Sequence, residues 1–416
     1  MPKTTTDLSI EEIVRTRAVT AVYQPIVELD TRRIVAYEAL ARGPRGTWFE
    51  SPDHLFAAAA ERDLTTALDW ACRAAAMQGA LEAGVGRSTK LFVNVEPSSL
   101  RAPRPAGLDT LIELATSSLS IVVEVTERSL LNDPATLMAA LGRARAAGMG
   151  VAIDDLGADL ASLALLPFVE PDVIKLDMSL IHRHADRQIA SIANAVRADA
   201  ERRDATILAE GIETEEHLER ALVLGARLGQ GWLFGAPAPL DAPQPHRHRS
   251  SDSRIHLATA QPVPTTPWAL VADSPHRRTT QKRLLMPMSH HIEQRALVGD
   301  PCVVISAFQD AAHFTPDTRH RYEQLAAKSS MVAAIATGMT RTPGRGVRGG
   351  TLPTHHPLTG EWTVTVVGPH DAAALIAYDI GDTGPDDQRP FEYVITHHRP
   401  TVIAAARALM QYIDAD

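Results

Sequence analysis

Carboxylates, amides and a lysine recur near the ends of short apolar runs through roughly the first 240 residues. Glu38 lies in IVAYEAL, Asn94 in KLFVNV and Glu124 in IVVEVTE. Asp154 and Asp155 follow GVAI, Lys175 and Asp177 follow DVI, Glu210 follows ATILA, and Gln230 follows ARLG. Taken singly, Glu38 could be half of a salt bridge, Asn94 a turn residue and Asp154-Asp155 a helix cap. Repeated around a chain of alternating elements, the same residues describe polar groups converging on one mouth. So many oxygen ligands suit hard divalent cations. A phosphodiester is anionic and repels hydroxide, so its hydrolysis near neutral pH gains from two cations that lower the pKa of water. The same pair holds nucleophile and phosphoryl oxygen in line.

The elements that must position these residues alternate strand and helix. The first strand candidate, Ala21–Leu29, is separated from RIVAYEAL by Asp30-Thr31-Arg32, too short for a crossover helix, so the pair should be an antiparallel hairpin. Helices are expected over Asp53–Glu82, Gly107–Ser117, Asp186–Arg203 and Glu215–Leu224, and another opening at Asp133-Pro134 and ending at Gly148. The pattern reads as α/β, a modified (β/α)8 TIM-type barrel with an antiparallel first strand, over residues 1–240. Residues 241–282 are rich in proline, histidine and serine and read as a linker. Strands and helices then mix without strict alternation over residues 283–416, a smaller α+β domain.

At 416 residues the chain has room for two or three domains, and 45% hydrophobic residues supply their cores. A net charge of −9 argues against a nucleic-acid polymer as partner. The two cysteines, Cys72 and Cys302, form no disulfide framework and fit a reducing, cytoplasmic setting. The N-terminal residues lack the apolar core of a signal peptide, and no uncharged apolar run is long enough to span a membrane, so no membrane partner is expected.

Glu38-Ala39-Leu40-Ala41-Arg42 matches the ExLxR signature of the EAL family of cyclic di-GMP phosphodiesterases. Tyr23-Gln24-Pro25-Ile26, Asn94, Glu124-Val125-Thr126-Glu127, Asp154-Asp155, Lys175-Leu176-Asp177, Glu210-Gly211-Ile212-Glu213 and Gln230-Gly231 resemble that family in order and context, from Thr20 to Pro239. The resemblance implies hydrolysis of cyclic di-GMP to linear pGpG with Mg2+ or Mn2+, two ions. It implies Glu38, Asn94, Glu124, Asp154, Asp155 and Asp177 as metal ligands. Lys175 and Glu210 become catalytic groups, at the attacking water or phosphate and as proton acceptor. Gln24, Pro25, Leu40, Arg42 and Gln230 would bind substrate, with Arg42 clamping a phosphate oxygen. Glu127 would anchor the loop after its strand. The loop following Asp155 reads Leu156-Gly157-Ala158-Asp159-Leu160-Ala161, departing from the family's usual FGTGYS, and Asp159 lacks the backbone freedom of glycine. In the family this loop supports the metal site and helps form a homodimer through the barrel. Its rewriting leaves open a different productive loop, a less active one, or a non-catalytic cyclic di-GMP receptor or signalling scaffold.

From about Arg283, Ala307-Phe308-Gln309, Phe314, Arg321-Tyr322-Glu323, Glu361-Trp362 and Ala374-Leu375-Ile376-Ala377 resemble the DICT family of sensory modules. That resemblance implies regulation of the barrel by the C-terminal domain. Phe308 and Trp362 read as core aromatics, and the doublets His290-His291, His355-His356 and His397-His398 as solvent or turn residues rather than metal ligands.

Overall fold

Antiparallel pairing of the first two strands follows from the short link between them: β1 (Thr20–Glu28) and β2 (Ile34–Arg42) place Gln24 opposite Glu38. The computed structural model describes residues 8–96, 99, 102–126, 131–157, 160–184, 186–240, 255–258, 264–381 and 385–413. The chain forms two compact units: Met1–Thr126 with Ala140–Leu156 and Pro171–Ala260, and Glu127–Ala139 with Gly157–Glu170 and Gln261–Asp416.

In the first unit, β3 (Lys90–Asn94), β4 (Ser120–Thr126), β5 (Gly150–Leu156), β6 (Val173–Leu176), β7 (Thr206–Ala209) and β8 (Leu228–Gln230) add in parallel to β2. β8 then returns to β1 antiparallel and closes an eight-stranded barrel. Among the described residues the helices up to Val223, of which α6 and the start of α5 fall in the second unit, are α1 (Ile10–Thr16), α2 (Pro52–Ala60), α3 (Thr65–Glu82), α4 (Asp109–Ser118), α5 (Pro134–Ala146), α6 (Leu166–Val169), α7 (Met178–His182), α8 (Arg187–Arg203) and α9 (Glu215–Val223). The single helix expected over Asp53–Glu82 is two, because Asp63 turns left-handed (φ 56°) and the Leu64 N–H closes back on the Ala59 carbonyl. Asp133 caps α5 by accepting the Thr136 N–H, and Asp186 and Thr214 cap α8 and α9 by accepting from Ile189 and His217.

One residue from each strand fills the barrel interior: Ile26, Ala36, Phe92, Val122, Ala152, Val173, Leu208 and Leu228. Ile255, inside the stretch expected to be linker, is 3% exposed and joins that cluster with Leu257 beside it. The Ala258 N–H donates to Asp172 Oδ1 at 2.6 Å, and the Val151 N–H to Asp172 Oδ2 at 2.7 Å, pinning this segment to the start of β5. The rest of the expected linker up to residue 263, namely 241–254 and 259–263, lies outside the described residues.

The second unit holds a seven-stranded sheet. Its strands are β9 (Arg278–Gln281), β10 (Val303–Asp310), β11 (Met331–Thr337), β12 (Val347–Leu352), β13 (Glu361–Val367), β14 (Ala372–Asp379) and β15 (Pro390–Thr396), in the order β12-β11-β10-β13-β14-β15-β9. Its helices are α10 (Lys282–Arg295), α11 (Pro316–Ala326) and α12 (Arg399–Met410). Central strands β10 and β13 are buried along nearly their whole length, as expected for a sheet covered on both faces. Val304, Phe308, Trp362 and Val364 share one cluster with Leu285 and Ile292 of α10 and Tyr322 and Leu325 of α11. α6 and Glu170 belong to this unit too, and Arg407 of α12 pairs with Glu170.

Candidate active site

Side chains two residues apart on a strand share a face. Stepping two residues toward the barrel mouth from the interior layer leads, strand by strand, from Ile26 to Gln24, Ala36 to Glu38, Phe92 to Asn94, Val122 to Glu124, Ala152 to Asp154, Val173 to Lys175, Leu208 to Glu210 and Leu228 to Gln230. An apolar ring is thus capped by a polar one, each strand contributing once to both. For β1, which runs the other way, the step is backward in sequence.

Lys175 is fully buried at the centre of this ring. Its Nζ lies 2.7 Å from Glu124 Oε1, 2.9 Å from Asp154 Oδ1, 2.9 Å from Glu210 Oε1 and 3.6 Å from Glu38 Oε1. Asn94 Nδ2 donates to Glu38 Oε1 at 3.1 Å. Gln230 Nε2 bridges Glu38 Oε2 at 2.5 Å and Gln24 Oε1 at 2.9 Å. Burial pulls the lysine's pKa down, but Glu124, Glu210, Glu38 and Asp154 together push it well above its ordinary value. Burial and then the Glu38 charge push Glu124 well up against the pull of Lys175. Glu210 is pushed up to about 8 by burial, opposed by Lys175 and reinforced by Asp154 and Glu38.

Asp155 should face away from Asp154 by simple alternation. A break in register between β5 and β6 and a left-handed backbone at Asp155 (φ 56°) re-aim it, so that oxygens of Asp154, Asp155 and Glu210 lie within 4.8 Å of one another. Leu40 and Arg42 continue the inward face of β2 beyond Glu38. Arg42 Nη1 donates to its neighbour's carbonyl at Ala41, 2.7 Å away, and makes no ion pair among the described residues. Asp177 caps α7 by accepting the Ser179 N–H at 2.9 Å. Pro25 lies on the alternate face of β1, beside Gly235. Glu127, and Ala158 and Asp159 of the loop after β5, lie outside the described residues.

The donor set fits divalent cations. Glu38, Asn94, Glu124, Asp154, Asp155 and Glu210 offer only oxygens or an amide, and Glu124 Oε2 is buried with no hydrogen-bond donor among the described residues. A buried ammonium among four carboxylates shows that the cluster is built around positive charge. A second group that the sequence reading passed over, His182, Glu213 and His217, also brings possible ligand atoms within 4.8 Å. Its imidazoles stack at 4.3 Å, and His182 Nε2 lies 2.8 Å from the Gly211 carbonyl, so local packing already accounts for it. Nothing periodic announces it in the sequence, because Glu213 precedes the Thr214 cap of α9 and meets His217 through its own N–H, 3.4 Å from His217 Nδ1.

A closed barrel whose C-terminal mouth carries acids around a lysine defines a modified TIM-type architecture with a polar, acid-lined site. The EAL domain matches residues 8–237, more than half of the chain, and the chain belongs to the EAL family. The DICT domain, described as a sensory domain in diguanylate cyclases and two-component systems, matches residues 269–379. Among similar proteins, the cyclic di-GMP phosphodiesterase RocR of Pseudomonas aeruginosa is 30% identical over 229 residues, covering 53% of this chain and 57% of RocR. The probable cyclic di-GMP phosphodiesterase PdeB of Escherichia coli is 28% identical over 239 residues, covering 55% and 45%. The chain therefore spans about half the length of these curated relatives. A solved manganese/cy-diGMP complex of Klebsiella pneumoniae BlrP1 is 33% identical, covering 53% of this chain and 56% of that one, with a TM-score of 0.48.

Proposed function

We propose that this chain hydrolyses cyclic di-GMP to linear pGpG with Mg2+ or Mn2+, two ions sharing the barrel mouth. The observation that carries the reading is the polar ring, one inward residue per strand, with Lys175 inside a cage of four carboxylates. The names of RocR and PdeB support the substrate. Bound cations would lower the pKa of water and withdraw charge from the phosphoryl oxygens. Glu38, Asn94, Glu124, Asp154 and Asp155 would hold them, and Asp177 would support the cluster from the end of β6. Lys175 stabilises the charge that grows on the phosphoryl group. Glu210 takes the proton of the attacking water as its oxygen bonds to phosphorus. The P–O3′ bond breaks, and O3′ leaves as the ribose hydroxyl after taking up a proton from solvent. Arg42 swings onto a non-bridging oxygen, while Gln24, Pro25, Leu40 and Gln230 shape the substrate's seat and Glu127 anchors its loop.

Residues 1–240 would be the catalytic part, able to pair with a second copy through the barrel. The second unit, to which β9 (Arg278–Gln281) and Lys282 of α10 already belong, would sense and regulate. Chromatography of cyclic di-GMP incubated with the protein tests the reading. The expected result is pGpG in Mn2+ and none in EDTA or with Glu38→Ala. Tight binding in EDTA, with the dinucleotide recovered intact after metal is restored, would make the protein a receptor instead.

A further inference from the structure

The second unit contains a cavity of about 340 Å3 between α10, α11 and the ends of β10 and β13. Its wall combines an apolar part, Met286, Phe308 and Trp362, with a basic part, Arg321 and His290. Arg321 is held from behind. Its Nε donates to Oε2 of Glu293 at 2.5 Å, and Glu293 is 1% exposed. Glu293 Oε1 in turn accepts from the Tyr322 hydroxyl at 3.1 Å, and that hydroxyl reaches Ser306 Oγ at 2.6 Å. The buried acid is thereby satisfied and fixes the guanidinium plane, while the two terminal nitrogens of Arg321 have no hydrogen-bond partner among the described residues. His290 Nε2 is likewise buried without a hydrogen-bond partner. Asp386 also lines the cavity and pairs with Lys282 at 2.5 Å, and among the described residues neither it nor Asp387 forms an ion pair with Arg321.

A guanidinium anchored at Nε presents its two remaining nitrogens as a planar fork, the complement of a carboxylate. A dry cavity of about 150 Å3 accepts benzene, so this one has room for a ring with a short side arm. The geometry points to this cavity as a binding site for a small carboxylic acid with a flat apolar body. The acid sits on the Arg321 fork with His290 beside it, and the ring lies against Phe308, Met286 and Trp362. Truncated sensing chemistry of this kind is independent of what the barrel hydrolyses, and its test reads binding rather than turnover.

Calorimetry on the full chain should use phenylacetate and indole-3-acetate, with the matching amides and phenyl phosphate as comparisons. The acids should bind, and the amides at least about tenfold more weakly, because a neutral group forfeits the charge-assisted pair. Arg321→Lys keeps a cation beside Glu293 but removes the fork. It should weaken the acids by about tenfold or more while leaving the melting temperature near that of the parent. Failure of both acids to bind at millimolar concentration would overturn the assignment. So would equal binding of acid and amide, acid binding unchanged in Arg321→Lys, or phenyl phosphate bound in preference to both acids.

Discussion

At the scale of single residues, Lys175 does two things at once. It neutralises a ring of carboxylates and, in the proposed reaction, would stabilise the charge that grows on the phosphate. In metal-free protein, Lys175→Ala strips the partner from buried acids and should cost roughly 3–5 kcal/mol. Added Mn2+ should then raise the melting temperature of that variant more than the parent's, and an equal rise would contradict the caged-cation reading. Glu38→Ala should lose both metal and turnover, by ~100-fold or more since even supporting groups behind ligands cost 10–100-fold. Lys175→Ala should keep metal in calorimetry and lose turnover. Glu361, buried and accepting the Trp268 N–H, is pushed up to about 7 by burial. The folded chain keeps that proton to about pH 7, while the unfolded chain releases it near 4.5, so its contribution is complete below 4.5 and is lost as pH rises through 7. The loss is on the order of 3 kcal/mol. Glu361→Gln should flatten the fall in melting temperature between pH 5 and 8, and an unchanged slope would remove Glu361 as its cause. The acids and Lys175 were readable in the sequence by type and order. Their convergence was readable too, as the two-residue step from each buried interior residue. The inward turn of Asp155 was not, since it depends on a left-handed backbone that an aspartate adopts only locally.

At the scale of elements, the eight barrel strands were legible because each is a short apolar run closed by a polar residue. Several other elements were not. β9 is an edge strand whose RTTQ holds no apolar residue and buries none of its side chains fully, so nothing apolar announces it. β12 carries Gly349 and Gly350, where an added Cβ would stand 1.7 Å from the Thr340 carbonyl oxygen and 2.0 Å from that of Tyr412. Close backbone packing thus demands glycines that erase the strand's pattern. The Ile255 segment was hidden by the proline and histidine around it. Because Ile255 fills the barrel interior, Ile255→Ala should destabilise the barrel by roughly 2–5 kcal/mol. Thermal unfolding followed by circular dichroism checks this, and a shift no larger than that of an exposed Ile→Ala change, such as at Ile380, would contradict it.

At the scale of the whole molecule, no helix among the described residues is long and apolar enough to cross a membrane. The chain passes from the first unit to the second just after the acid pair, between Leu156 and Gly157. Fully buried α6 then clusters with the second unit, where α12 is among its neighbours. A chain ending at Ala260 should therefore still bind Mn2+ through Glu38, Glu124 and Asp154. It should turn over more slowly than the full chain, because the segment after Asp155 loses its packing. Calorimetry beside a turnover assay separates the two effects, and a shortened chain that cannot bind metal would show that the second unit completes the site. The central claim is that this mouth opens a phosphodiester, and phosphorus NMR sees that bond directly. Cyclic di-GMP with the full chain and Mg2+ should convert its phosphodiester signal into equal diester and monoester signals, and the Glu38→Ala protein should leave it unchanged. A persistent single diester signal with the full chain, or the same conversion by Glu38→Ala, would contradict the account.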